Sequence, residues 1–143
     1  MSDGDLFKLY SQRILALAAD IPHTAPLPAP HHTAKKRAPL CGSTVEVALD
    51  LKDGRIAGYS QNVRACALGQ ASAAIFGQNV IGRSRAEVQK LRDDLALMLA
   101  GQGPVPDTPF GDYEVLTAAQ DYPNRHGSIL LAPDATLMAF EQD

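Results

Sequence analysis

The sequence predicts an α+β domain in which a small antiparallel sheet packs against several helices. Three observations carry that expectation. Apolar residues alternate with period two on both sides of an Asp-Gly pair, and apolar residues recur at helical spacing before and after it. The chain's 143 residues, 45% apolar and 20% charged, suffice to bury one ordinary core.

The first predicted element is an amphipathic helix over 5–19, with Leu6, Leu9, Tyr10, Ile14, Leu17 and Ala18 at helical intervals. Ile21-Pro22 ends it, because proline disfavours α conformation in the residue before it. Pro22 to Pro39 holds five prolines, three histidines and the run Lys35-Lys36-Arg37, and no periodicity survives there. It reads as an extended, exposed arm without secondary structure of its own. A strand hidden within it has one physical motive, since an isolated two-stranded hairpin is rarely stable.

Val45, Val47, Leu49 and Leu51 then alternate with Thr44, Glu46, Ala48 and Asp50, the pattern of a half-buried strand. Asp53-Gly54 tolerates the positive φ angles of a tight hairpin turn, and Ile56 to Val63 is the return strand. The small, apolar run from Ala67 to Val80 predicts a helix buried nearly all round. Ser84-Arg85-Ala86-Glu87 is a capping box that opens a helix bearing Val88, Leu91, Leu95 and Met98, ending at Gly101. A short helix is expected around 111–120, a break at Tyr122-Pro123, and a last helix after Pro133 with Leu137, Met138 and Phe140.

Composition excludes several function classes. A net charge of −3 and a pI near 5.7 give no footprint for nucleic acid. No apolar run approaches the roughly 20 residues that span a bilayer. Met1-Ser2-Asp3-Gly4-Asp5 lacks a basic region leading into an apolar one, so no signal peptide is expected. Two cysteines make no disulfide framework, and a cytoplasmic protein with reduced thiols is the expectation. No Ser-His-Asp logic, phosphate-cradling glycine loop or paired carboxylates point to a free-standing enzyme.

The chemistry is concentrated at Cys41 and Cys66, which flank the hairpin. Free cysteine is among the most buried residue types, and spacing alone favours two small apolar side chains. Against this, Cys66 precedes a helix, where the dipole and free N–H groups favour thiolate, the form that binds metal and attacks sulfur. His126 is a further candidate ligand, set against the ordinary solvated or hydrogen-bonded histidine. Exposure accounts for His31-His32, solvation for Lys35-Lys36-Arg37, and a surface role for Asp112 and Glu114.

The motifs taken together resemble the iron–sulfur cluster assembly scaffolds of the IscU/SufU (NifU N-terminal) family. Leu9-Tyr10-Ser11-Gln12-Arg13-Ile14-Leu15 is similar to that family's N-terminal helix. Cys41-Gly42-Ser43 looks like its first Cys-Gly-Asp ligand loop, and Asp53-Gly54-Arg55-Ile56 like its glycine turn. Ala65-Cys66-Ala67-Leu68-Gly69-Gln70-Ala71-Ser72 resembles the second ligand loop and its small-residue helix. Tyr122-Pro123-Asn124-Arg125-His126-Gly127-Ser128 is similar to the SufU-type Phe-Pro-x-Arg-x-x-Cys loop. The match runs nearly the whole chain, in order.

The resemblance implies a single domain over 1–143 of SufE/NifU (IscU-like) architecture, with a proline-rich arm at 22–39. It implies a non-catalytic scaffold that transiently holds an iron–sulfur cluster (2Fe–2S) or zinc through Cys41, Cys66 and His126. A cysteine desulfurase is the implied partner, and a homodimer would supply four thiolates. The departures are specific: the family's third cysteine falls on Ser128 and its aspartate on Ser43. A neutral hydroxyl is a poor ligand, so the set is incomplete. Two alternatives follow, a persulfide-accepting relay or regulator of a desulfurase, and a binding module with a degenerate site.

Overall fold

In a computed structural model the described residues are 11–141. The first part of the predicted N-terminal helix, with Leu6, Leu9 and Tyr10, lies outside them. What is described begins with α1, Gln12–Ala18, capped by the Ser11 hydroxyl accepting from the Ile14 N–H. Ile14 is its one fully buried side chain and faces the core.

The sheet has three strands in the order β1 (His32–Arg37), β2 (Thr44–Lys52), β3 (Arg55–Arg64), both pairs antiparallel. The arm is therefore only half irregular. Its second part pairs with β2, Lys35 opposite Glu46 and Arg37 opposite Thr44. No proline lies between Pro30 and Pro39, so the backbone N–H groups of 32–37 are free to complete the sheet. Lys35-Lys36-Arg37 is an edge strand, the usual place for lysine-rich segments that resist further pairing. His31 is exposed, whereas His32 is half-buried. Asp53 and Gly54 both adopt positive φ, 54° and 77°, making the expected tight turn between β2 and β3.

Val45, Val47 and Leu49 of β2 and Ile56 and Tyr59 of β3 point into the core. Two helices, α2 (Ala67–Gln78) and α4 (His126–Phe140), pack against the sheet, and α3 (Arg85–Leu99) packs against α4. The α2 helix is buried from Leu68 to Gly77 except at Gln70, as its composition predicts. The capping box of α3 is present in both directions between Ser84 and Glu87. A 3₁₀ helix, Gly111–Asp121, replaces the expected short α-helix, and a turn at Pro123–Arg125 joins it to α4.

The α4 helix departs most from expectation. It starts at His126, not after Pro133, and Pro133 lies buried within it. Proline inside a helix lacks the N–H that would bond the carbonyl four residues earlier, that of Ile129. The buried Ser72 hydroxyl of α2 donates to that carbonyl instead, at 2.5 Å. Ser72 is in turn linked to the Tyr113 hydroxyl at 3.0 Å. The missing bond is supplied by a neighbouring helix, so the helix continues. A short-range pattern cannot contain that information.

Candidate thiol site

Arg125-His126-Gly127-Ser128 was expected as a third loop; it is instead the entry and first turn of α4. This brings Ser128 into the interior, where it is 1% exposed, between the two cysteine-bearing segments.

Each thiol is held by tight local structure. Cys41 sits in the connection between β1 and β2, where the Ala38 N–H donates to the Ser43 carbonyl and the Gly42 N–H to the Ala38 carbonyl, both at 2.8 Å. Gly42 takes φ +72°, a conformation that glycine adopts without a side-chain clash. Cys66 is the N-cap residue of α2, with extended φ and ψ of −66° and 169°. Its carbonyl accepts the Gln70 N–H at 2.9 Å, and its side chain makes no cap bond, which leaves the sulfur free to face Ser128.

Four side chains form one continuous chain. The Cys41 Sγ lies 3.2 Å from the Ser43 Oγ, the Ser43 Oγ 3.1 Å from the Ser128 Oγ, and the Ser128 Oγ 3.4 Å from the Cys66 Sγ. Both hydroxyls are buried and both thiols half-buried. Gly69, one turn into α2, makes the approach possible. A Cβ there would stand 2.3 Å from the Ser128 Oγ and 2.8 Å from the Ala65 Cβ. The hydroxyls of Ser43 and Ser128 are thus the two groups that connect the thiols.

Burial pushes the Cys41 thiol up, but other influences outweigh it and hold it below its ordinary value. These are the Ser43 hydroxyl and backbone N–H, the Ser128 hydroxyl and the Arg125 charge. A thiolate at Cys41 is therefore favoured by donors already in place.

A NifU-like protein (N-terminal) from Brucella abortus is 37% identical to this chain, with coverage of 96% of both chains and a TM-score of 0.92. The chain belongs to the IscU/SufU/NifU-like family. A putative iron–sulfur cluster assembly scaffold protein for the SUF system from Fervidobacterium islandicum superimposes with a TM-score of 0.84. At 18% identity over 94% of this chain and 98% of that one, it speaks to the fold alone. The iron–sulfur cluster assembly scaffold protein IscU of Streptococcus pyogenes serotype M1 is 25% identical over 104 residues, 73% of this chain and 65% of that protein. No family model matches the chain.

His126 does not join the thiols by hydrogen bonding. Its Nε2 lies 2.8 Å from the Ala119 carbonyl oxygen, which only accepts, so this nitrogen carries the proton and is committed to the backbone. Among the described residues no three or more His, Cys, Asp and Glu side chains are grouped to hold a metal ion. A closed zinc site needs four good donors, and this family member offers two thiols joined by two hydroxyls. The residues of one chain do not fit a resident zinc. Asp112 and Glu114 are exposed and remote in role, and Asp112 pairs with Arg13 at 3.3 Å.

Proposed function

We propose that this protein is an iron–sulfur cluster assembly scaffold that takes a cluster as transient cargo through Cys41 and Cys66. The observation that carries the proposal is the joining of the two thiols through Ser43 and Ser128, which places both at one site. Family membership supports it, as do the names of the relatives. A 2Fe–2S cluster takes four thiolate ligands, so one chain supplies half of them and the rest come from outside the chain. With its Nε2 proton on the Ala119 carbonyl, His126 has only Nδ1 to offer as a ligand. A cysteine desulfurase is the expected sulfur donor. No helix among the described residues is long and apolar enough to cross a membrane.

Anaerobic reconstitution with iron and sulfide, followed by visible absorption and iron counting, tests the proposal. Expected is a coloured protein that is lost in Cys41→Ser and in Cys66→Ser. Colourless wild-type protein rejects it.

The lowered Cys41 thiol favours a second reading on the same fold. A thiolate flanked by hydroxyl donors suits acceptance of sulfane sulfur from a desulfurase, with the chain acting as relay or regulator. Transfer of labelled sulfur to Cys41, absent in Cys41→Ser, is the expected result. No label on either cysteine excludes this role.

A further inference from the structure

Cys41 and Cys66 are the chain's only cysteines, and the sheet brings them out at one end. Thr44, where β2 begins, is registered opposite Arg64, where β3 ends. Cys41 precedes the one and Cys66 follows the other. The two backbone segments therefore emerge from neighbouring strands, which lie about 5 Å apart. A disulfide bridges Cα atoms at separations of about that size.

The side chains continue the approach. Ser128 Oγ lies 3.4 Å from the Cys66 Sγ and 3.1 Å from the Ser43 Oγ, which is itself 3.2 Å from the Cys41 Sγ. The same Ser128 hydroxyl also acts on the Cys41 thiol, so it neighbours both sulfurs. Cys66 is fixed at the N-terminus of the buried helix α2, and its side chain makes no cap bond. The Cys41 side has freedom to move. It sits in a turn with Gly42 at φ +72°, and its neighbour Leu40 is 82% exposed and has little packing to lose. That exposure also puts the Cys41 turn at the surface, where a sulfur donor reaches it.

Two adjacent thiols do what a single one cannot. A persulfide on an isolated cysteine waits for a thiol from solution to attack it. A second thiol held beside it attacks without that encounter, at an effective concentration far above that of any free thiol. The group between them here is a neutral serine hydroxyl, which does not compete as a nucleophile for sulfur.

We propose that Cys66 is the resolving thiol of a dithiol pair that converts sulfane sulfur accepted at Cys41 into free hydrosulfide. The inference rests on the sulfur-relay reading above and needs no metal. In the first step the Cys41 thiolate attacks the terminal sulfur of a persulfide donor. The donor's S–S bond breaks, the donor thiolate leaves, and a persulfide forms on Cys41. In the second step the Cys66 sulfur attacks the Cys41 sulfur of that persulfide. The S–S bond to the terminal sulfur breaks, hydrosulfide departs with the Cys66 thiol proton, and a Cys41–Cys66 disulfide forms. The sulfane sulfur takes up two electrons, one from each cysteine sulfur. A small dithiol then reduces the disulfide and restores both thiols.

The test mixes the full, reduced, chelator-treated chain anaerobically with glutathione persulfide. Released sulfide is counted by bimane trapping, and peptide mass spectrometry after alkylation assigns the state of each cysteine. Sulfide released with Cys41→Ser/Cys66→Ser gives the background. Expected from the wild type is about one sulfide per chain above background, together with a Cys41–Cys66 disulfide that dithiothreitol reopens. Cys66→Ser, with folding checked by circular dichroism, should keep the persulfide on Cys41 and release sulfide at least about tenfold more slowly. A lasting persulfide on wild-type Cys41 with no internal disulfide overturns the inference and leaves the relay reading standing. Sulfur on neither cysteine overturns both.

A second measurement needs neither a variant nor a persulfide. In oxidised glutathione the wild-type chain should pass through a mixed disulfide to the internal Cys41–Cys66 bond. Glutathione retained on both cysteines shows that the thiols do not reach each other, and overturns the pairing even if Cys66→Ser fails to fold.

Discussion

Replacing Ser72 by alanine leaves the buried Ile129 carbonyl without a donor. Ser72 is fully buried, and its hydroxyl occupies the place of the N–H that Pro133 lacks. Tyr113 is not orphaned by the change, because its hydroxyl also donates to the Ser72 backbone carbonyl at 3.0 Å. The loss is thus one buried, unsatisfied acceptor, which costs about 1–3 kcal/mol. For a domain of this size that lowers the melting temperature by about 3–10 °C. In the Pro133→Ala background, residue 133 regains an N–H for the same carbonyl, and the cost of Ser72→Ala should fall below about 1 kcal/mol. Urea unfolding of wild type, both single variants and the double variant gives the coupling directly, expected at about 1–2 kcal/mol. Equal costs of Ser72→Ala in the two backgrounds would refute this account of how α4 passes through Pro133. The contact also locks Ile129, and with it Ser128, against the helix that carries Cys66.

Other outcomes follow from the site geometry. Ser43→Asp combined with Ser128→Cys should create a four-donor set with Cys41 and Cys66, binding one zinc per chain by elemental analysis, where wild type binds none. At zinc concentrations a hundredfold above the dissociation constant, that variant should gain about 2.7 kcal/mol of stability. Gly69→Ala should destabilise the protein by about 1–3 kcal/mol, because its Cβ meets the Ser128 Oγ at 2.3 Å, despite the better helix propensity of alanine. Gly111→Ala, with open space around its Cβ, is the control expected to be near neutral. Alkylation of Cys41 by iodoacetamide should fall off as pH drops through a midpoint below that of an ordinary thiol, since donors in the fold favour its thiolate. Ser43→Ala removes one donor and should move that midpoint upward; an unmoved midpoint counts against the hydroxyl's role.

Local patterns sufficed for the elements whose causes are local. The hairpin lies in the alternation from Val45 to Leu51 and in Asp53-Gly54, which needs only its own φ angles. The capping box at Ser84 and Glu87 and the all-round burial of α2 are likewise written in neighbouring residues. The strand at 32–37 was obscured because proline density nearby dominates the pattern, while the reason to be a strand lies in β2. Pro133 misplaced the start of α4 for the same reason, since Ser72 is 61 residues away in sequence.

At the site, the sequence by itself determined the chemistry: two thiols and two hydroxyls. Only the tertiary structure decided that Ser43 and Ser128 bridge the thiols. Residue types are local facts. Which hydroxyl meets which sulfur depends on the close approach of α2 and α4 at Gly69, and only the assembled core sets that distance.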